Sequence, residues 1–188
     1  MIRKLVAFIA IFAVMTVAFA GCGSQKVDEE KTAADNLYAI KNPYLENTKA
    51  NNDLIKNLKV HSYGKYTLDV QDERHPYTLS IRFMYLNSGV DEAALTAYMN
   101  NVSIALLALI DDCEQINWSF PGAEGLEAGY IGTEYAGDLC GMDVKKAGKD
   151  AESFEKLYTK LFPEQQADAQ AEGDAAAEGD AATDEAAQ

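Results

Sequence analysis

The chain has 188 residues, a formal net charge of −14 and 48% hydrophobic residues. This length is enough for one folded domain. So negative a charge argues against nucleic-acid binding, which requires clustered lysine and arginine. It argues equally against electrostatic adhesion to anionic lipid head groups.

The first 22 residues have the pattern of an export signal. A short positive start at residues 3–4 precedes an almost wholly apolar run at residues 5–20, which predicts a secretory signal peptide. The run is also about the minimum length for an uncleaved membrane anchor. Residues 19–22, Phe-Ala-Gly-Cys, resemble the lipobox of bacterial lipoproteins, with Phe19 where the family usually has leucine. The resemblance implies removal of residues 1–21, acylation of Cys22, and a lipid-anchored protein on the extracytoplasmic face of the cell membrane.

The two flanks of the remaining chain are polar and lack periodicity. Residues 22–32 are predicted to form a flexible tether between Cys22 and the domain. Residues 164–188 carry eight acidic and no basic residues, and they contain no large apolar residue to offset the entropy of ordering. We therefore predict a disordered acidic tail there, and a single domain at residues 33–163.

Alternation of apolar and polar residues predicts two β-hairpins in that domain. Residues 66–71 and 77–85 alternate with a period of two, as in strands with one buried face. The second hairpin is predicted at residues 115–132, where Ile116, Trp118 and Phe120 share one face. The expected fold class is α+β, with a small antiparallel sheet of about four strands.

A long amphipathic helix is predicted between the hairpins, from Asp91 to Ile110, with Ser88 or Asp91 as its N-cap. It is expected to cover the sheet, and its second half, which is apolar nearly all round, should be the most buried part. Asp111 and Asp112 follow where the helix dipole favours cations, so we interpret them as turn residues. Shorter helices are predicted at 33–41, 47–57, 134–140 and 150–161, the third of these between an N-cap at Thr133 and a stop at Gly141.

Several of these segments together resemble a known family. They are "YAIKNPYLENTKANNDLIKNL", "HPYTLSIRFMY", "NVSIALLALIDDCEQINWSF" and "TEYAGDLCGMDV", with the last helix. The stretch from about 36 to 162 is similar to an uncharacterised extracytoplasmic domain of Gram-positive lipoproteins, also found attached to membrane metallopeptidases of the beta-lactam-sensor type. Glu46, where a glycine is frequent, departs from that family. The resemblance implies an α+β domain at the cell surface that serves recognition or sensing.

The residues themselves predict no catalytic site and no cofactor. The motifs G-x-S-x-G, S-x-x-K, H-E-x-x-H and the phosphate-binding loop are absent from the sequence. His61 and His75, with Asp69 or Glu73, are the candidates for a zinc site, but solvated loop histidines are the simpler interpretation. Three carboxylates are candidates for calcium, although their spacing fits a solvated turn better: Asp111, Asp112 and Glu114.

Aromatic residues and cysteines leave two further alternatives. Five aromatic side chains either line a cleft for a glycan or peptide or, as their phases favour, pack in the core: Tyr44, Tyr77, Tyr85, Tyr98 and Trp118. If Cys22 is acylated, Cys113 and Cys140 remain as a possible disulfide. We predict free thiols, because nothing in the sequence brings their helix ends together.

We therefore expect a membrane-anchored surface lipoprotein that acts as a non-catalytic binding, sensory or accessory module. Its partner would be an envelope protein, a peptide or a glycan. The alternatives are an envelope-acting hydrolase and a structural envelope factor that docks a partner protein. Convergent acids and a histidine in a cleft would favour the hydrolase, whereas an exposed apolar patch without a cleft would favour docking.

Overall fold

The structure is a computed structural model that describes residues 31 to 163. The predicted signal peptide (1–21), the lipidation site Cys22, all of the predicted tether except Lys31 and Thr32, and the predicted acidic tail (164–188) lie outside the described residues. Thr32, the last residue of the predicted tether, is in contact with the first helix. Its hydroxyl accepts a hydrogen bond from the Asp35 N–H at 3.1 Å and caps the first helix.

Six helices and four strands make up the described residues. The helices are α1 (Ala33–Ala39), α2 (Thr48–Asn57), α3 (Glu92–Leu109), α4 (Thr133–Cys140), α5 (Val144–Ala147) and α6 (Ala151–Leu161). The strands are β1 (Gly64–Gln71), β2 (Thr78–Leu86), β3 (Gln115–Gly122) and β4 (Gly125–Gly132), and a 3-10 turn at Val60–Ser62 precedes β1. The predicted α+β fold class is confirmed.

The sheet has the order β1-β2-β3-β4, and both predicted hairpins are present as antiparallel pairs. The sheet is nevertheless mixed, because β2 and β3 pair in parallel. We expected an antiparallel sheet throughout. The reason for the difference is α3, whose 18 residues span about 27 Å. This helix carries the chain back along the sheet, so that β3 starts at the same end as β2.

A β-bulge changes the predicted phase at the end of β2. Tyr66 stands opposite Phe83, but Lys65 stands opposite Tyr85, so that Met84 is the extra residue. The bulge turns Tyr85 out of the core, and this side chain is 54% exposed. The prediction that Tyr85 continues the buried face of β2 is therefore wrong, although Leu79, Ile81 and Phe83 are buried as expected.

Helix α3 forms the centre of the core. The Asp91 carboxylate caps its start by accepting from the Ala94 N–H at 2.8 Å. Every residue from Val102 to Leu109 is buried, which confirms the prediction for the second half. The helix lies mainly over β3 and β4, whereas α2 lies beside β1. The helices therefore cover one face of the sheet.

Helix α4 begins differently from the prediction. Gly132 is its N-cap, and Thr133 is its first helical residue. The Thr133 hydroxyl donates to the carbonyl of Glu114, the residue before β3, at 2.9 Å, so it does not cap the helix. Gly141 ends the helix with a left-handed φ of 63°, as predicted.

Backbone carbonyl groups at the buried end of α3 accept hydrogen bonds from a lysine of α5. Lys145 Nζ donates to the Leu107 carbonyl at 2.6 Å and to the Ile110 carbonyl at 2.8 Å. These carbonyl groups have no partner within the helix. Burial lowers the pKa of Lys145, while the nearby Cys113, Asp111 and Asp112 act in the opposite direction. A cation thus occupies the place that the helix dipole favours.

The first prediction concerns the α3 core. Leu106 is fully buried, so Leu106→Ala should lower the free energy of unfolding by about 2–5 kcal/mol, as large-to-small core changes do. Urea denaturation followed by circular dichroism measures the loss. Leu126→Ala, on a side chain that is 74% exposed, is the control. A loss below about 1 kcal/mol for Leu106→Ala would contradict the described packing.

The second prediction concerns Lys145. Lys145→Met keeps the aliphatic stem but removes both donated hydrogen bonds. It should cost about 1–3 kcal/mol because the buried Leu107 carbonyl loses its donor, while the Ile110 carbonyl keeps only the Cys113 N–H at 3.2 Å. The matched control is Lys146→Met, since exposed Lys146 forms only a surface pair with Asp143 at 3.1 Å. That change should cost about 0.5 kcal/mol or less. Equal losses in the two variants would exclude the capping role.

Candidate functional site

The face of the sheet opposite the helices presents an unusual group of large apolar side chains to solvent. Because side chains alternate along a strand, the residues between the buried positions of β2, β3 and β4 share this face. Four large apolar residues are exposed on it: Met84, Tyr85, Leu126 and Tyr130, with Leu126 at 74% and Tyr130 at 69% exposure. We call this surface the open sheet face. Solvent-exposed apolar groups gathered on one surface are typical of an interaction site.

A depression of about 470 Å³ lies at the centre of the open sheet face. Its outward side chains are mainly small and polar: Ser80, Arg82, Gln115, Asn117, Ser119 and Ala128, flanked by Leu126 and Tyr130. The charge of Arg82 is balanced by Asp69 of β1, at 3.1 Å between Nη2 and Oδ2. The centre is therefore nearly neutral, with hydrogen-bonding groups between two exposed apolar side chains.

A second depression of about 500 Å³ adjoins the first at Tyr130 and Gln115. It extends from the end of β4 onto α4, where Tyr135 is 54% exposed. Three carboxylates border it: Glu114, Glu134 and Asp138. This end of the open sheet face therefore combines two tyrosines with negative charge.

One segment accounts for the acidity of this side of the molecule. Residues 83–144 contain no lysine or arginine. The same segment carries ten acidic residues: Asp91, Glu92, Asp111, Asp112, Glu114, Glu124, Glu127, Glu134, Asp138 and Asp143. This run without a basic side chain is readable from the sequence alone. It marks β3, β4 and α4 as the most uniformly acidic part of the domain.

The structure keeps the two histidines apart. His61 precedes β1 and His75 follows it, so the eight residues of β1 separate them by about 26 Å. His75 Nδ1 lies 2.8 Å from Glu114 Oε2, and its ring stacks on Tyr77 with centroids 4.1 Å apart. No group of three or more metal-binding side chains occurs within residues 31–163. The zinc hypothesis therefore has no geometric basis.

The three carboxylates considered for calcium have separate partners. Asp111 pairs with Lys41 at 2.7 Å, and Asp112 accepts from the Leu45 N–H at 2.7 Å. Glu114 accepts from His75 and, at 3.0 Å, from the Tyr77 N–H. The hydrogen bond from His75 lowers the pKa of Glu114, helped by the Tyr77 N–H. These residues fasten loops to one another, as turn residues do.

The five candidate aromatic residues do not line a common cleft. Trp118 is buried, and its indole N–H donates to Asn100 Oδ1 at 3.3 Å. Tyr98 is half-buried and donates to the Leu58 carbonyl. Tyr77 stacks on His75, while Tyr44 and Tyr85 are exposed at separate places. Tyr85 shares a depression with Tyr66, which was not among the five, and Tyr130 and Tyr135, which share another, were not among them either.

Cys113 and Cys140 are both buried and unpaired, as we predicted. Burial raises the pKa of the Cys113 thiol to about 11. Burial also raises the pKa of Cys140. The thiolate is the reactive form of cysteine, so both side chains are best understood as small core residues.

Within residues 31–163, every helix is too short or too polar to cross a bilayer. Searches of the curated proteins and of the solved structures found no match. Residues 37 to 136 match the family described as a domain of unknown function, DUF4825. The match runs from within α1 to within α4 and covers more than half of the 188 residues, including the whole sheet and α3. The chain therefore belongs to the DUF4825 family.

Proposed function

We propose that this protein is a lipoprotein, anchored through acylated Cys22 to the extracytoplasmic face of the cell membrane, whose domain is a non-catalytic binding module. The observation that carries the binding role is the open sheet face, where Met84, Tyr85, Leu126 and Tyr130 are exposed together. Burying these side chains against a partner would remove apolar surface from water, at about 25 cal/mol per Å².

The shape of this surface favours a protein partner. Its two depressions are open to solvent and adjoin each other along the sheet. Small ligands are usually held in clefts that enclose most of their surface. An exposed apolar surface without such a cleft is the property that we expected of a factor that docks a partner protein. We therefore combine two of the expected roles, the binding module and the factor that docks a partner protein, into one proposal.

The hydrolase alternative receives less support from the positions of the candidate groups. General acid–base catalysis requires an acid and a base within hydrogen-bonding reach of one substrate. His75 and Glu114 are close enough, but Glu114 is also fixed by the Tyr77 N–H. Neither side chain borders the central depression of the open sheet face. Glu114 borders the second depression, but it is held there by both His75 and the Tyr77 N–H, which favours binding over hydrolysis at this surface.

The third prediction tests the anchor. Cells fed a palmitate analogue should label the protein, and Cys22→Ala should abolish both the label and the recovery of the protein in the membrane fraction. Cys113→Ala is the control, because its buried thiol should have no part in anchoring. Labelling that survives Cys22→Ala would exclude lipidation at this residue.

The fourth prediction tests the binding surface. A photoreactive amino acid at Ser119, in the central depression, should crosslink the protein in cells to a discrete partner. The same group at Thr159, on the exposed outer side of α6, should not. Replacing both Leu126 and Tyr130 by serine should remove the Ser119 adduct while the circular dichroism spectrum is unchanged. Equal adducts from Ser119 and Thr159 would contradict the proposal.

A further inference from the structure

We propose that the free edge of β4 binds an extended, basic segment of a partner protein, which adds to the sheet as a fifth strand. This inference rests on the proposed function, because it names the chemistry of the partner for the same surface. Strand addition of this kind uses main-chain hydrogen bonds for affinity and alternate side chains for specificity.

The hydrogen-bonding pattern shows which backbone groups of β4 are available. The Thr133 N–H donates to the Glu114 carbonyl at 3.0 Å, and hydrogen-bonded pairs alternate along an antiparallel ladder. Counting back from Thr133 in steps of two, Ile131 and Gly129 are the residues whose backbone N–H and C=O groups face β3. Their partners there are Ile116 and Trp118, respectively. The alternate residues of β4 direct their N–H and C=O groups away from the sheet, and all three are exposed: Leu126, Ala128 and Tyr130.

The two edges of the sheet are protected to different degrees. Natural proteins guard edge strands with lysine, proline, bulges or a covering element. β1 has exposed Lys65 and a bulge in its pairing with β2. β4 pairs with β3 over eight consecutive positions without a bulge, and it contains neither lysine nor proline. β4 is thus the edge that retains the features of a template for a further strand.

Charge indicates what kind of strand would pair there. Glu127 lies in β4, and Glu124 precedes it, both exposed. A second copy of this chain would place its own Glu124 and Glu127 along the same edge, and like charges opposite each other destabilise a pair of strands. With no basic residue between 83 and 144, the surface is complementary to lysine and arginine.

The depression at the end of β4 provides an anchor for one basic side chain. Tyr130 and Tyr135 border it together with the exposed carboxylates of Glu134 and Asp138. Aromatic faces attract ammonium and guanidinium groups, with arginine the more frequent partner. A strand that pairs with Ala128 and Tyr130 would bring its next side chains to this depression. Backbone pairing and charge therefore both favour an extended segment that carries lysine or arginine.

The probe is a capped ten-residue peptide in which lysine alternates with valine, added to the full chain. We expect it to bind and to slow hydrogen exchange of the Ala128 and Tyr130 amides, measured by nuclear magnetic resonance. The counterpart with glutamate in place of lysine should bind at least about tenfold more weakly. The affinity of the lysine peptide should fall as salt is raised, because salt screens exposed charges.

Two variants at one position separate strand addition from general attraction. Ala128→Pro removes an N–H that faces solvent, which an edge strand tolerates. Ala128→Pro should lower the affinity for the lysine peptide by about tenfold or more. The backbone hydrogen bond from residue 128 to the peptide is lost, and the proline ring blocks the close approach of the two strands. Ala128→Val retains the N–H and should retain the affinity. If Ala128→Pro does not fold, the exposed pair Glu134→Lys and Asp138→Lys should reverse the preference between the two peptides.

The outcomes are distinct from those for the proposed function. Equal affinity of Ala128→Pro and Ala128→Val would overturn strand addition, and equal binding of the two peptides would overturn the basic partner. Self-association of the unmodified chain that is lost in Ala128→Pro would assign the edge to a second copy and overturn the proposal. In each of these cases, a partner crosslinked at Ser119 would still support the proposed binding function. The absence of any adduct at Ser119 would contradict both the binding function and the strand addition.

Discussion

The end of α3 is the constraint on which the rest of the domain depends. A helix leaves its last carbonyl groups without internal partners, and here that end is buried on all sides. The Asn42 N–H binds the Leu109 carbonyl at 3.0 Å, and Lys145 binds those of Leu107 and Ile110. Gly148 approaches the Ala108 carbonyl so closely that a Cβ atom there would lie 1.8 Å from its oxygen. Segments from both ends of the domain therefore meet at one helix terminus, which closes the helical layer over the core.

This arrangement also accounts for the exposed surface. All the helices that pack on the sheet cover the same face, so the second face remains in water. Antiparallel and mixed sheets tolerate this when one face is polar. Here the open sheet face is only partly polar, since it carries Leu126 and Tyr130 between serine and asparagine side chains. The side chains that do not contribute to the core are thus the ones that require a functional explanation.

The sequence predicted the local elements better than their assembly. Period-two and helical patterns located both hairpins and α3, because an element with one buried face has apolar residues at a regular spacing along the sequence. The parallel pairing of β2 with β3 depends on the direction of return through α3, which no single segment encodes. The bulge at Met84 shifted Tyr85 outward for a similar reason, because it depends on the register with β1.

The candidate site was less accessible to prediction than the fold. The predicted candidates were histidines, clustered carboxylates and core-phase aromatics. In the structure His75 and the carboxylates fasten loops, Trp118 and Tyr98 pack in the core, and Tyr44 and Tyr85 are exposed. The more informative signals were the absence of basic residues from 83 to 144 and the position of β4 at an edge. The first is a property of composition over a long window, and the second follows only from strand order. Lys145 was missed because its partners lie 35 and 38 residues away in sequence.

The close contact between Trp118 and Gly129 has a practical consequence. A Cβ atom at position 129 would lie 2.3 Å from the indole, so the ring lies directly against the backbone of β4. Trp118 is the single tryptophan of the chain, and it is 5% exposed. The tryptophan fluorescence of the protein, when excited selectively over that of its ten tyrosines, therefore originates from one ring beneath the edge strand. Its emission would respond to a change in β4 without any attached dye, whereas unfolding would transfer the same ring to water and shift the emission to longer wavelength.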